Sequence, residues 1–214
     1  CLQGGFDRWQ IRYDNVIRDG GFTTTGQRIE GGCGLRETLK AVEKPFREAK
    51  FAGIACGIKN TGIGNGMPDT GECKIEIVSE EKVIIYHGWT EMGQGAHNMA
   101  IQTFCQETGL PPGIVEVVVD TKEETLCGMT TASRATSLIG NSVIDACKTL
   151  NDDLRGSALA DLAGKSYRGK WVCDWTTKPG HPNEKGEEVT HYSYGYATQV
   201  VALNDDGKID TIYA

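Results

Sequence analysis

His87-Gly88-Trp89-Thr90-Glu91-Met92-Gly93-Gln94-Gly95-Ala96-His97 is the stretch from which the organisation of the chain follows. Before it, Lys82–His87 has the Val, Ile and Tyr content of a strand. After it, a helix is expected from Gly95 to Thr108, with Met99 and Phe104 on its buried side, stopped by Gly109 and Pro111-Pro112-Gly113. A strand that turns into a helix through glycines leaves unpaired N–H groups, and the positive end of the helix dipole, facing outward. Gly93 and Gly95 let a ligand approach the backbone, and Gln94 between them offers both a donor and an acceptor. The same residues also suit a tight turn carrying a solvated Gln, and the spacing alone leaves both possibilities open.

Upstream, Cys73–Ser79 and Lys82–His87 form an expected hairpin across Glu80-Glu81, and Phe51–Lys59 has the length and content of a strand. Leu35, Leu39, Val42 and Phe46 recur at helical spacing and predict a helix over Leu35–Lys50. The polar, glycine-rich residues 1–32 read as irregular. Thr61-Gly62-Ile63-Gly64-Asn65-Gly66 invites a dinucleotide-binding reading, which requires a helix to open at the last glycine. Here Met67-Pro68-Asp69-Thr70-Gly71 intervenes and a strand follows, so that reading fails on context. Downstream come an expected buried strand (Val115–Asp120), a helix (Ser137–Leu154), a short helix (Ala158–Ala163) and a strand near Trp171–Trp175. A closing hairpin pairs Gly195–Leu203 with Lys208–Tyr213. Helices and strands mix without strict alternation, which predicts an α+β fold of mixed sheets with packed helices. Residues 1–50 are expected to be a lead-in, and 51–214 the main lobe.

A second loop has related chemistry. Thr130-Thr131-Ala132-Ser133-Arg134-Ala135-Thr136-Ser137 places five hydroxyls and one guanidinium ahead of the Ser137–Leu154 helix. One hydroxyl suffices to cap a helix, whereas five with Arg134 suit a phosphate. Two such loops in one chain point to a large phosphorylated ligand.

Composition narrows the classes of partner. A net charge of −7 disfavours nucleic acid, which needs clustered cations. No apolar run approaches the length of a membrane span, and no signal segment opens the chain. The opening Cys1-Leu2-Gln3-Gly4-Gly5, without Met, reads as a piece of a longer protein. The eight cysteines contain no C-x-x-C pair, which argues against zinc or iron–sulfur clusters. They are expected to be reduced thiols in the cytoplasm.

GWTEMGQGAHNMAIQ resembles the "GGTEMGQG-x-H" loop and helix of the xanthine dehydrogenase/aldehyde oxidase family, and TTASRATSLIGNSVIDAC resembles that family's next cofactor loop. FAGIACGIKNTGIG and HYSYGYATQVVALNDDGKIDTIYA are similar to its flanking strands, so the likeness runs from Phe51 to Ala214. RWQIRYDNVIRDG looks most like the bacterial selenium-dependent xanthine dehydrogenase branch. The resemblance implies a molybdenum–molybdopterin cofactor, in its cytosine dinucleotide form. Met92, Gly93, Gln94 and Gly95 would lie at its metal end, with Thr130, Ser133, Arg134 and Thr136 at the pterin or phosphate. No protein ligand to the metal is implied. The reaction would be hydroxylation of a purine or aldehyde carbon with water as the oxygen source. The family's catalytic Glu falls beyond Ala214, and Glu91 is expected to be structural, so no catalytic residue is assigned. The implied partners are the remaining lobe of the same subunit and iron–sulfur and flavin subunits or domains. Two departures stand out: Trp89 replaces a Gly of many relatives, and Ala135 a Ser of some. The alternative is a non-catalytic assembly module of the same fold that binds no cofactor. A piece cut from a larger enzyme is also expected to expose apolar side chains near the cofactor loops and the terminal hairpin.

Overall fold

A computed structural model describes residues 2–214. The chain forms two compact units, residues 1–66 with 176–214 and residues 67–175. Residues 51–66 and 176–214 therefore join the lead-in rather than the cofactor loops. The reason is strand pairing: β1 (Phe51–Thr61) runs antiparallel to β6 (Ser193–Leu203) along its whole length, from Phe51 opposite Leu203 to Thr61 opposite Ser193.

In the first unit, β6 lies between β1 and β7 (Ile209–Tyr213), and the β6–β7 hairpin closes across Asn204–Lys208 as expected. The lead-in is more regular than its composition predicts. It holds α1 (Gln10–Asn15), whose preceding Trp9 is buried with Leu39, Val42, Phe46, Ile54 and Val200. The single helix expected over Leu35–Lys50 is two, α2 (Leu35–Ala41) and α3 (Glu43–Glu48). Pro45 explains the break. It has no N–H to give to the carbonyl four residues back and its ring collides with that carbonyl, yet it fits the first turn of a new helix. The glycines of the 62–66 stretch serve packing. A Cβ on Gly64 would lie 1.8 Å from the Thr190 carbonyl oxygen, and one on Gly62 would lie 2.5 Å from the Tyr192 ring.

In the second unit the sheet order is β4 (Val115–Val118), β3 (Lys82–His87), β2 (Asp69–Ser79), β5 (Ser166–Cys173). The β2–β3 and β2–β5 pairs are antiparallel and β3–β4 is parallel, with α4 (Ala96–Thr108) as the crossover. The odd residues Asp69 to Ile77 of β2 are buried, while Thr70, Glu72, Lys74 and Glu76 face outward. The buried face packs on α5 (Ala135–Leu154), which in turn packs on α4. Two glycines bring α5 onto the sheet: a Cβ on Gly71 would sit 2.7 Å from Leu138 Cβ, and one on Gly169 would sit 1.9 Å from the Ser142 carbonyl oxygen. β4 is an edge strand and only half-buried, so the Val-rich run did not mark a buried strand. The expected helix over Ala158–Ala163 is a short 3-10 turn, Leu159–Leu162.

Met92, Leu126 and Met129, beside the two loops, are exposed, as are Ile209 and Ile212 in the terminal hairpin. The seven described cysteines are free thiols; Cys1 lies outside the described residues. Among the described residues, no helix is long and apolar enough to cross a membrane, and no group of His, Cys, Asp or Glu is arranged to hold a metal ion.

Candidate cofactor site

Both loops singled out by sequence lie in the second unit, and they touch. The Thr90 N–H donates to Thr130 Oγ1 at 3.1 Å, and the Cys127 thiol donates to the Gly88 carbonyl at 3.1 Å. The Arg134 guanidinium lies over the Trp89 ring, 4.8 Å from its centroid. The two loops therefore occupy one side of this unit.

The start of α4 is not an open anion site, which corrects the first reading of Gly93 and Gly95. Glu91 already fills it. Its Oε1 accepts the N–H groups of Gly93 and Gly95 at 2.8 and 3.0 Å, and its Oε2 accepts that of His97 at 3.1 Å. The hydrogen bonds from Gly95 and His97 pull the Glu91 carboxyl down to about 2, so it is ionised and acts as an internal anion for the helix dipole. Gly93 and Gly95 are left-handed (φ 98° and 79°), and a Cβ built on either meets nothing within 4 Å. Their identity answers to backbone conformation, and open space stands over both.

Gln94 is exposed, yet its side chain is not free. Oε1 accepts the Met92 N–H at 2.6 Å, and Nε2 donates to the Thr90 carbonyl at 2.7 Å. The amide braces the turn and keeps one N–H for a ligand. Met92 is 68% exposed, so it offers its thioether to whatever covers the turn.

The start of α5 differs. No side chain caps it. Ala132 and Ser133 before it are both left-handed (φ 57° and 51°), a conformation that costs non-glycine residues energy and is retained where the surroundings demand it. Thr131, Ser133 and Thr136 are exposed, and Thr130 is half-buried. The second loop thus presents uncapped helix N–H groups next to exposed hydroxyl-bearing residues, an arrangement suited to an anion.

Arg134 does not face that site, which corrects the phosphate contact expected of it. It is buried, paired with the Asp69 carboxylate at the head of β2, and it donates to the carbonyls of Met129 and, at 3.2 Å, Cys127. Its task is internal: it ties the loop over 127–134 to the sheet and to Trp89. The fully buried Trp89 ring lies against that guanidinium.

Sequence reasoning missed three participants. Asp69 gave no signal, because it stands 65 positions from Arg134. His87 and His97 form the other pair, with ring centroids 5.1 Å apart. The Trp89 backbone N–H donates to His87 Nδ1 at 3.2 Å, which leaves the ring proton on Nε2. Burial, and then the neighbouring His97, lower His87 to about 4, so its ring is neutral. Four polar atoms around the motif, His87 Nε2, His97 Nε2, Trp89 Nε1 and Arg134 Nε, are buried without a hydrogen-bond partner. Such orphans are rare in finished cores. The open space over Gly93 and Gly95, with the spare N–H of Gln94 beside it, fits a wall built for a further polar group.

A family model described as a molybdopterin cofactor-binding domain matches residues 33–163. Xanthine dehydrogenase/oxidase of Mus musculus is 26% identical over a 234-residue alignment covering 94% of this chain and 17% of that protein. Aldehyde oxidase 4 of Rattus norvegicus is 29% identical over 135 residues, 62% of this chain and 10% of that protein. Among solved structures, the aldehyde oxidoreductase from Desulfovibrio desulfuricans matches with a TM-score of 0.72 at 22% identity, covering 97% of this chain and 26% of that one. At that identity the likeness establishes the fold. The chain spans less than a fifth of the length of these two curated relatives. Because the family model covers more than half of its residues, the chain belongs to the molybdopterin cofactor-binding domain family.

Proposed function

We propose that this chain is one wall of the molybdenum–molybdopterin site in a molybdenum hydroxylase that hydroxylates a purine or aldehyde carbon with water as oxygen source. The observation that carries the reading is the joining of the two loops: an uncapped α5 start next to exposed hydroxyl-bearing residues, held by Thr130 against a glycine turn with open space above it. Thr130, Ser133 and Thr136 take the anionic part of the cofactor, together with the first N–H groups of α5. Met92, Gly93, Gln94 and Gly95 line its metal end, where the spare Gln94 N–H donates. Arg134 works from beneath, holding the hydroxyl loop in place. When bound, the cofactor supplies the oxygen-transfer and two-electron chemistry, which these side chains orient and shield from water.

The names of the relatives favour the purine and aldehyde classes, and the family likeness extends the proposal to the cytosine dinucleotide form of the cofactor and the selenium-dependent branch. It also extends it to a cytoplasmic enzyme whose partners are the rest of the same subunit and iron–sulfur and flavin carriers. On this reading the isolated chain is inactive, because the catalytic Glu and the redox carriers lie outside it.

The test is Thr136→Glu in the full-length protein. A carboxylate in the first turn of α5 suits the helix dipole, so the fold is kept while an anionic ligand is repelled. The expected result is native circular dichroism with molybdenum and pterin per protein reduced at least tenfold. Unchanged metal content would overturn the proposal and favour a module that binds no cofactor.

A further inference from the structure

The first unit carries a cleft of about 760 Å³, to which the cofactor loops contribute no residue. Its size falls within the range of small-molecule pockets. Residues 26–32 and 186–189 line it, together with Phe22, Tyr192, Tyr194 and Tyr196. One turn gathers several of these groups. Phe22 pairs with Arg28 in an antiparallel bridge, and the Tyr194 hydroxyl lies 3.0 Å from Gln27 Oε1. The Glu188 carboxylate packs on Gly26, where a Cβ would collide with Oε2. Two rings and a carboxylate therefore reach neighbouring residues of the same turn.

The charges of the lining do not balance. Arg28 and Glu30 lie 3.1 Å apart and neutralise each other. Glu187 and Glu188 have no cationic partner among the described residues, and each accepts from a neutral group only. Glu187 Oε2 takes the Asn183 Nδ2 group at 3.2 Å, and Glu188 Oε1 takes the Gly180 N–H at 3.1 Å. Glu188 is half-buried, and its Oε2 has no hydrogen bond among the described residues. A cleft lined by charge of one sign draws in a ligand of the other. The rings decide which kind of cation fits. With their hydroxyls engaged inside the fold, at Gln27 and at the Cys33 thiol, Tyr194 and Tyr196 offer the cleft their rings. Phe22 is 68% exposed at the same turn. Aromatic faces attract an alkylated ammonium, whereas a bare divalent ion needs six or more oxygen ligands.

We infer that this cleft binds a small organic cation, its alkylated ammonium head lying beside the Glu188 carboxylate and against the rings of Phe22 and Tyr194. The uncompensated carboxylates take the charge, and the rings take the alkyl groups around it. The site is independent of the cofactor reading, because its residues belong to the other unit.

Calorimetric titration of the full-length protein with choline and with 3,3-dimethylbutan-1-ol tests this. The two share one shape, and the alcohol has a carbon where choline has its charged nitrogen. Choline is expected to bind saturably at millimolar concentration, with the alcohol at least tenfold weaker. Glu187→Gln combined with Glu188→Gln keeps the oxygens that accept from Asn183 and Gly180. It should weaken choline at least tenfold and leave the alcohol unchanged. Phe22→Ala, at an exposed position, should weaken choline at least threefold with native circular dichroism. Absence of saturable binding, equal affinities for the two probes, or full choline affinity in either variant would each overturn the assignment.

Discussion

Replacing Asp69 with Ala probes the tie between the hydroxyl loop and the sheet. The Arg134 and Asp69 side chains are 5% and 3% exposed, so the substitution leaves a guanidinium buried with two carbonyls and the Trp89 face as its remaining partners. Breaking one side of a buried pair costs about 3–5 kcal/mol, because the surviving charge stays out of water. In a protein of this length, each kcal/mol moves the melting temperature by roughly 2–4 °C, which gives a fall of roughly 6–20 °C. Near-ultraviolet circular dichroism is the suitable probe, since three of the four tryptophans, Trp89, Trp171 and Trp175, lie in the affected unit. Two compact units can melt separately, and these bands follow the right one. A double variant, Asp69→Leu with Arg134→Met, removes both charges and should recover stability over either single variant. A cost under about 1 kcal/mol for Asp69→Ala, or a double variant no better than the singles, would refute the claim that a buried ion pair holds the loop.

Three further outcomes follow from the same geometry. The His87 pKa is lowered from 6.5 to about 4, so between those values the unfolded chain binds a proton that the folded one excludes. Stability is therefore complete above pH 6.5 and falls by roughly 3 kcal/mol as the pH drops toward 4, measured by urea unfolding; a His87→Gln variant should lose this His contribution to the slope, and an unaltered slope would remove His87 as its source. Gly169→Ala drives a Cβ to within 1.9 Å of the Ser142 carbonyl and should destabilise the second unit by about 1–3 kcal/mol, with a wild-type melting curve counting against the close approach of α5 to β5. In the full-length enzyme, Gln94→Ala should keep its molybdenum and lose about a hundredfold in kcat, as when one preorganised donor is removed; wild-type turnover at full metal loading would take Gln94 out of the site.

How much was legible in the chain itself depended on the range of the interaction. The β2–β3 hairpin, the long helix α5 and the terminal hairpin were all readable, because their periodicity and turn residues lie within a few positions of one another. The glycine turn was likewise found at Met92–Gly95 from its alternate glycines, and the hydroxyl loop at Thr130–Ser137 from its cluster of Ser and Thr. The roles of individual side chains were settled elsewhere. Glu91 stands four residues before Gly95, outside the usual capping positions, and only its folded contacts turned the start of α4 from a candidate anion site into a filled one. The break at Val42 was local instead, since Pro45 was visible within the helical pattern. Arg134 gave no comparable sign. Its burial depends on Asp69, 65 residues earlier, and on the Trp89 ring, neither of which any local pattern connects to it. The grouping of β1 with β6 and β7 likewise rests on pairing across more than 130 residues. Sequence by itself determined the elements and the residue types of the two loops, because helices, turns and caps are governed by neighbours along the chain. Only the tertiary structure decided which helix start is open and which cation faces inward, because burial and charge pairing depend on residues that meet only after the chain has folded.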